Sequence, residues 1–339
     1  MNRYKGQDGR DAAEESGRFG GRFTSTDTVA SSLVNGESGR LTAPTDGAFG
    51  TISPPKRRVS QRDLDRIAAS LSARDWEVLR SVASHRFLTV DQIRRLHFAA
   101  LSPTSNARLA QKALQRLRRD RLLGTLDRRI GGVGFGSSGL VHYIDVTGYR
   151  LLQHDDQSRV RRHVKEPTET FLHHTLAVAE THLRLVEADV RGELELAAWD
   201  IEPTWPRFIR LGSIVRLTPD LYAETALSPS SAYVDSYFIE VDLGTESIPR
   251  LVKKCHDYQA YERVGIGTGD RAPSDGDGEG EAGFPLVVWI MTHRNMATAE
   301  RRRRALRDAI TRDRRLDPTL LRIISPDQLI GLVQKGGGL

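Results

Sequence analysis

Between Leu71 and Leu152 the order of apolar and polar positions predicts three helices followed by a hairpin. In LSARDWEVLRSVAS, Trp76, Leu79 and Val82 fall at helical spacing, with Ser72 as N-cap and Asp75 three residues on. FLTVDQIRRLHF predicts a second, shorter helix capped by Thr89 that buries Ile93 and Leu96. A third helix, over roughly 106–121, sets Leu109, Ala113, Leu114 and Leu117 inward and projects Arg108, Lys112, Arg116, Arg118, Arg119 and Arg121 outward. LLGTLDRRIGG and SSGLVHYIDVT then read as two β runs joined by the glycine-rich GGVGFGSSG, with Arg128 and Arg129 near its tip.

Beyond this the periodicity alternates. A helix is predicted over about 168–187, then β-like LELAAWDIEP, IVRLTPDLYAE and AYVDSYFIEVDL, then a helix near 247–263. Strand PLVVWIM, the basic helix NMATAERRRRALRDAITR, strand LRIIS and a last helix from Pro326 complete the chain. A mixed sheet with helices on both faces is the simplest arrangement, so the expected fold class is α/β, or α+β overall. Two segments lack either period. Residues 1–58 are rich in Gly, Ser, Thr and charge and read as a disordered arm, and GIGTGDRAPSDGDGEGEAG, residues 265–283, reads as an acidic loop inserted in a folded domain. The expected organisation is therefore the arm at 1–58, a helix-turn-helix domain at 71–152 and an α/β domain at 165–335.

Composition narrows the function classes. Lys and Arg total 50 against 44 acids, a net charge of +6 with a pI near 9.6, a balance that suits a nucleic-acid partner and that ordinary proteins also show. The single cysteine, Cys255, excludes an internal disulfide and a cysteine-cage zinc site, and no apolar run reaches membrane-spanning length. A soluble cytoplasmic protein is the expectation.

Two constellations carry chemistry. The third helix and the glycine-rich hairpin together form what a winged helix-turn-helix needs: one helix for the major groove, a basic wing for the flanking backbone. A merely solvated arginine face is the bland alternative. GGVGFG does not suit phosphate cradling, because it leads into a strand and not a helix N-terminus. The second constellation is acidic. FIEVDL delivers Glu240 and Asp242 onto one side of a strand, and Asp220 follows Pro219 on a neighbouring one, so the carboxylates are a metal site, its remnant, or an ion-pair cluster with Lys253 or Arg250. His173 and His174 project about 100° apart on their helix and cannot easily share an ion with Glu180. The run Arg301 to Arg304 spreads around its helix and can add phosphate affinity or remain a solvated face.

Read in order, LSARDWEVL, FLTVDQIRRLHF, LQRLRRDRLL, VHYIDVTGYRLL, FLHHTLAVAE, then PD and IEVDLGTES with a downstream Lys and Tyr resemble the replication-relaxation family of plasmids and mobile elements, over roughly residues 70–262. The resemblance implies a protein that binds double-stranded DNA in plasmid replication or mobilisation, alongside replication or relaxosome proteins and as a candidate homodimer. The second half also resembles the restriction-endonuclease-like, PD-(D/E)xK fold. That likeness implies Asp220 and Glu240 as metal-binding acids for Mg²⁺ or Mn²⁺, with Glu180 as an additional acid from the first helix. The position two after Glu240, where the motif carries lysine, holds Asp242, so Lys253 or Lys254 on the next helix would have to replace it. An active endonuclease and a transcriptional repressor with an α/β dimerisation domain are the alternatives to a DNA-binding replication accessory.

Overall fold

A computed structural model describes residues 59–126, 139–155, 166–203, 208–210, 213–215, 217–264 and 283–338. The expected arm, the glycine-rich turn with Arg128 and Arg129, and the acidic insertion up to residue 282 lie outside the described residues. Residues 57–339 form one compact unit.

The first part is helical for reasons visible in its caps. Helix α1 (Gln61–Ser70) was not predicted, because QRDLDRIAAS is polar and buries only Leu64; Ser60 caps it by accepting from the Asp63 amide. In α2 (Ala73–His85) Ser72 and Asp75 form a reciprocal capping box, and in α3 (Val90–His97) Thr89 and Gln92 do the same. Helix α4 (Pro103–Arg119) opens on a proline, whose missing N–H is lost at no cost in a first turn. Its buried side carries Ala110, Leu114 and Leu117, whereas Leu109, expected inside, is 41% exposed. Strands β1 (Leu88–Thr89), β2 (Leu123–Thr125) and β3 (Val141–Ile144) make an antiparallel sheet in the order β1-β3-β2. The predicted second β run is shorter than expected, since VTGYRLLQHD forms α5 (Val146–Asp155). Gly148 permits this: a Cβ there would lie 2.2 Å from the Leu122 carbonyl oxygen.

Helix α6 (Glu169–Val190), capped by Thr168, follows. The remaining chain supplies strands β4 (Glu195–Ile201), β5 (Phe208–Arg210), β6 (Ser213–Val215), β7 (Leu221–Ala226), β8 (Asp235–Asp242), β9 (Leu286–Met291) and β10 (Leu321–Ile324). It also supplies helices α7 (Ile248–Val264), α8 (Met296–Arg312) and α9 (Leu329–Val333). The main sheet runs β10-β9-β8-β7-β4, with β8, β9 and β10 parallel and β7 antiparallel to both β8 and β4. This is the α/β fold with a mixed sheet that the periodicity predicts. IVRLTPDLYAE is divided between β6 and β7 and not one strand, with Pro219 and Asp220 immediately ahead of β7.

Alternation along β8 separates two cores. Tyr237, Ile239 and Val241 pack with Ala177, Val178 and Leu185 of α6 and with Leu329 and Leu332 of α9. Phe238 packs with Leu251, Cys255 and Tyr258 of α7 and with Leu306 and Ile310 of α8. Each fully buried Leu, Ile or Phe contributes on the order of 1.5–3 kcal/mol. Glu240 and Asp242 share the parity of Phe238, so both carboxylates enter the α7/α8 layer and are themselves buried.

Helix α6 also backs the N-terminal helices. Leu172 and Leu176 join Phe87, Leu126 and Val141 in one cluster, and Ala179 packs with the core of α2, α3 and α4. Arg95 of α3 clamps Glu187 with two hydrogen bonds of 2.7 Å and Glu180 with bonds of 2.9 and 3.0 Å.

Candidate functional site

The acidic centre forms where β7 begins and β8 ends. Asp220 Oδ2 accepts from the Val241 amide at 2.8 Å, and its Oδ1 lies 3.1 Å from His174 Nε2 of α6. Glu240 Oε2 accepts from Lys254 Nζ at 2.5 Å, while the Tyr258 hydroxyl donates to Oε1. Lys254 also lies 5.8 Å from the centre of the Trp289 ring. Lysine and tyrosine stand four residues apart on α7, which brings them to the same face of the helix. Burial pushes Glu240 above the usual carboxylate range, and neighbouring Asp220 adds to this against the pull of Lys254 and Tyr258. Burial would lower Lys254, but Glu240 and Asp220 outweigh it and raise the ammonium pKa. For Asp220, burial is overcome by His174, Lys254 and the Val241 amide, so its pKa is lowered. For His174, burial is overcome by Asp220, so its pKa is raised.

Of the predicted centre, then, the structure brings together Asp220, Glu240 and Lys254. It does not bring in the others. Asp242 turns to Arg302 of α8, which donates to its Oδ2 at 2.8 and 3.2 Å, and it accepts from the Gly244 amide at 3.0 Å. Lys253 is 77% exposed and pairs with Asp257 at 3.1 Å. Glu180 is engaged by Arg95. Among the described residues no group of three or more His, Cys, Asp or Glu is arranged to hold a metal ion. Both oxygens of Asp220 and of Glu240 already meet protein partners. The Lys254 ammonium stands on Glu240 where a cation would have to bind, and no third ligand joins the two acids among the described residues, so the residues as arranged do not fit Mg²⁺ or Mn²⁺. His174 and Tyr258 are the members that sequence reasoning missed. The downstream tyrosine was visible, but its phase relative to Lys254 needs the helix register.

The predicted DNA-reading residues divide sharply. Arg108, Lys112 and Arg119 are exposed on α4. They fall, with exposed Gln115, within about 60° of arc opposite the buried face. Gln115 was not singled out, although its place seven residues after Arg108 signals the same stripe. Arg119 also meets Asp120 at 3.0 Å. Arg116 turns away and donates to both Asp75 oxygens at 2.5 and 2.6 Å, joining α4 to the α2 cap. Arg118, partly buried, flanks His142, whose pKa burial and then the Arg118 charge push down to about 4. Arg121 occupies a left-handed turn, φ 58°, beyond the helix end. In the basic run of α8, Arg302 and Arg303 face inward, Arg303 donating to the Met291 carbonyl at 2.8 Å, while Arg301 and Arg304 stay exposed.

These features define a helical module with one basic stripe, seated through α6 on an α/β sheet that carries a buried acid–lysine centre. The chain belongs to the replication-relaxation family, which matches residues 79–272, more than half of its length. Membership indicates a role in plasmid or mobile-element replication or relaxation. No curated protein and no solved structure matches the chain. Among the described residues no helix is long and apolar enough to cross a membrane.

Proposed function

We propose that this protein binds duplex DNA during plasmid or mobile-element replication, using α2–α4 and the β2–β3 hairpin as a winged helix and α4 as the element that enters the major groove. The α4 stripe carries the reading. Arg108, Lys112, Gln115 and Arg119 occupy the outer side of a helix whose opposite side is wholly committed to the core. Arginine and lysine supply phosphate attraction and guanine contacts, and glutamine can pair with adenine. The α/β part then serves as a platform that fixes the stripe in space.

Fluorescence titration of duplex DNA across a salt series tests this. Each phosphate contact contributes about 0.9 to the slope of log affinity against log salt. Lys112→Ala or Arg108→Ala should reduce the slope by about one unit each. Affinity indifferent to salt and to both substitutions would sink the proposed DNA face.

A DNA-cleaving protein is the second reading, favoured by the meeting of Asp220, Glu240 and Lys254 and opposed by the protein donor that each carboxylate oxygen already faces. Supercoiled plasmid incubated with the protein and Mg²⁺ or Mn²⁺ separates the two. Nicking that disappears in Asp220→Ala and Glu240→Ala would establish cleavage; intact plasmid beside a metal-independent mobility shift supports the platform.

A further inference from the structure

A cavity of about 430 Å³ opens at the carboxyl ends of β8 and β9, on the α6 side of the sheet and so across it from Glu240. That volume falls within the range of small-ligand pockets, roughly 300–1,000 Å³. Its apolar wall is Ala177, Val241, Leu243, Ile290 and Pro326. Two imidazoles, His173 from α6 and His293 from the β9–α8 loop, line the same space. Gly244 lets the two loops close on each other: it has φ 84°, and a Cβ would lie 2.8 Å from the His293 ring.

The polar groups favour an anion. His293 Nδ1 accepts from the Asn295 amide at 2.9 Å, which leaves the proton of the neutral ring on Nε2 as a donor. Arg294 lines the cavity and is exposed, and the Thr245 and Thr292 hydroxyls add donors from the two loops. Arg184 is anchored by the Pro326 carbonyl at 2.9 Å. Of the two acids present, Glu180 is paired with Arg95 and lies 4.0 Å from Arg184, and Glu169 is exposed at the start of α6, where water screens it. Flat rings, an aliphatic wall and a cationic rim together suit a heterocycle bearing a phosphate, since histidine stacks on bases and arginine grips phosphate.

We infer that this cavity binds a nucleoside monophosphate, its base held against His173 and His293 and its phosphate met by Arg294 and the two threonines. This site does not depend on the DNA-reading stripe. Thermal melting and isothermal titration of the full chain would use the adenosine, guanosine, cytidine and uridine 5′-monophosphates. Adenosine, inorganic phosphate and an unphosphorylated single-stranded oligonucleotide serve as separate arms. At least one monophosphate should raise the melting midpoint saturably and bind at least about tenfold tighter than adenosine or phosphate alone. Arg294→Glu, at an exposed position, should weaken that binding about tenfold or more without changing the melting of the free protein, and His293→Ala should weaken it as well. Silence from all four monophosphates at millimolar concentration would overturn the assignment. So would an equal response to inorganic phosphate, a response to the oligonucleotide alone, or unchanged affinity in Arg294→Glu.

Discussion

At the scale of single residues, the arginines of α4 look alike in sequence and do different work. Arg116 is held by Asp75, whose side chain is 3% exposed and which also receives the Ser72 amide and hydroxyl at 2.9 and 2.7 Å. Removing Arg116 leaves a buried carboxylate short of a partner, a loss of about 1–3 kcal/mol. Arg116→Ala should therefore lower the melting midpoint by several degrees while leaving the salt slope of DNA binding intact, the reverse of Lys112→Ala. A slope reduced as much as in Lys112→Ala would return Arg116 to the DNA face. The sequence distinguishes these residues poorly, because the Asp75 pairing spans 41 positions. Asp220 and Glu240 were legible from Pro219 and from strand alternation, but Lys254 could be separated from Lys253 only by the phase of α7. Asp242 was misleading for a similar reason: its partner, Arg302, lies 60 residues on, inside a run that sequence alone leaves as a phosphate-binding or a solvated face.

Among the elements, α6 has the widest reach, since one side packs on the sheet and another on α3 and β1. Arg95 holds this contact electrostatically, and its two carboxylate partners on α6, Glu180 and Glu187, are each less than a third exposed. Arg95→Ala leaves two nearby acids facing an apolar seam and should cost about 2–3 kcal/mol, read as a lower denaturation midpoint. Arg95→Lys should recover only part of the loss, since an ammonium cannot reproduce the two-pronged contacts. Full recovery by lysine would show that charge alone, without that geometry, holds the seam. Most helices were legible from their caps and periodicity. The seam was not, because Arg95 reads as one more charge on the surface of a short amphipathic helix.

Across the whole molecule, histidine links the seam to pH. His85 of α2 and His182 of α6 are both buried, and their ring nitrogens meet at 3.0 Å, with the Trp199 ring centre 4.0 Å from that of His182. His97 stands on Ser81 at 3.0 Å, with Glu77 at 3.9 Å and the Arg74 charge also acting on it. Burial lowers His85, His97 and His142 to about 4 and His182 well below its ordinary value. In the unfolded chain each takes up a proton near pH 6.5. Between about 6.5 and 4 the unfolded chain thus binds more protons at these four rings, so their contribution to stability rises with pH across that window and is constant above it. His174 has the opposite sign: its pairing with Asp220 stabilises the fold at low pH and is lost as pH rises through its elevated folded value. The four depressed histidines outnumber it, and at one pKa unit per 1.36 kcal/mol each lowering to about 4 is worth on the order of 3 kcal/mol at full protonation. Glu240, held above the usual carboxylate range, also favours the fold less as pH rises, so urea unfolding followed from about pH 7 to 5 should show a net fall in free energy below about 6.5, where the four histidines outweigh the opposite drift of His174 and Glu240, and His142→Gln should shallow that fall without moving its onset. A free energy constant over the whole range would mean that the folded chain accepts protons at these rings, and that the seam does not exclude water.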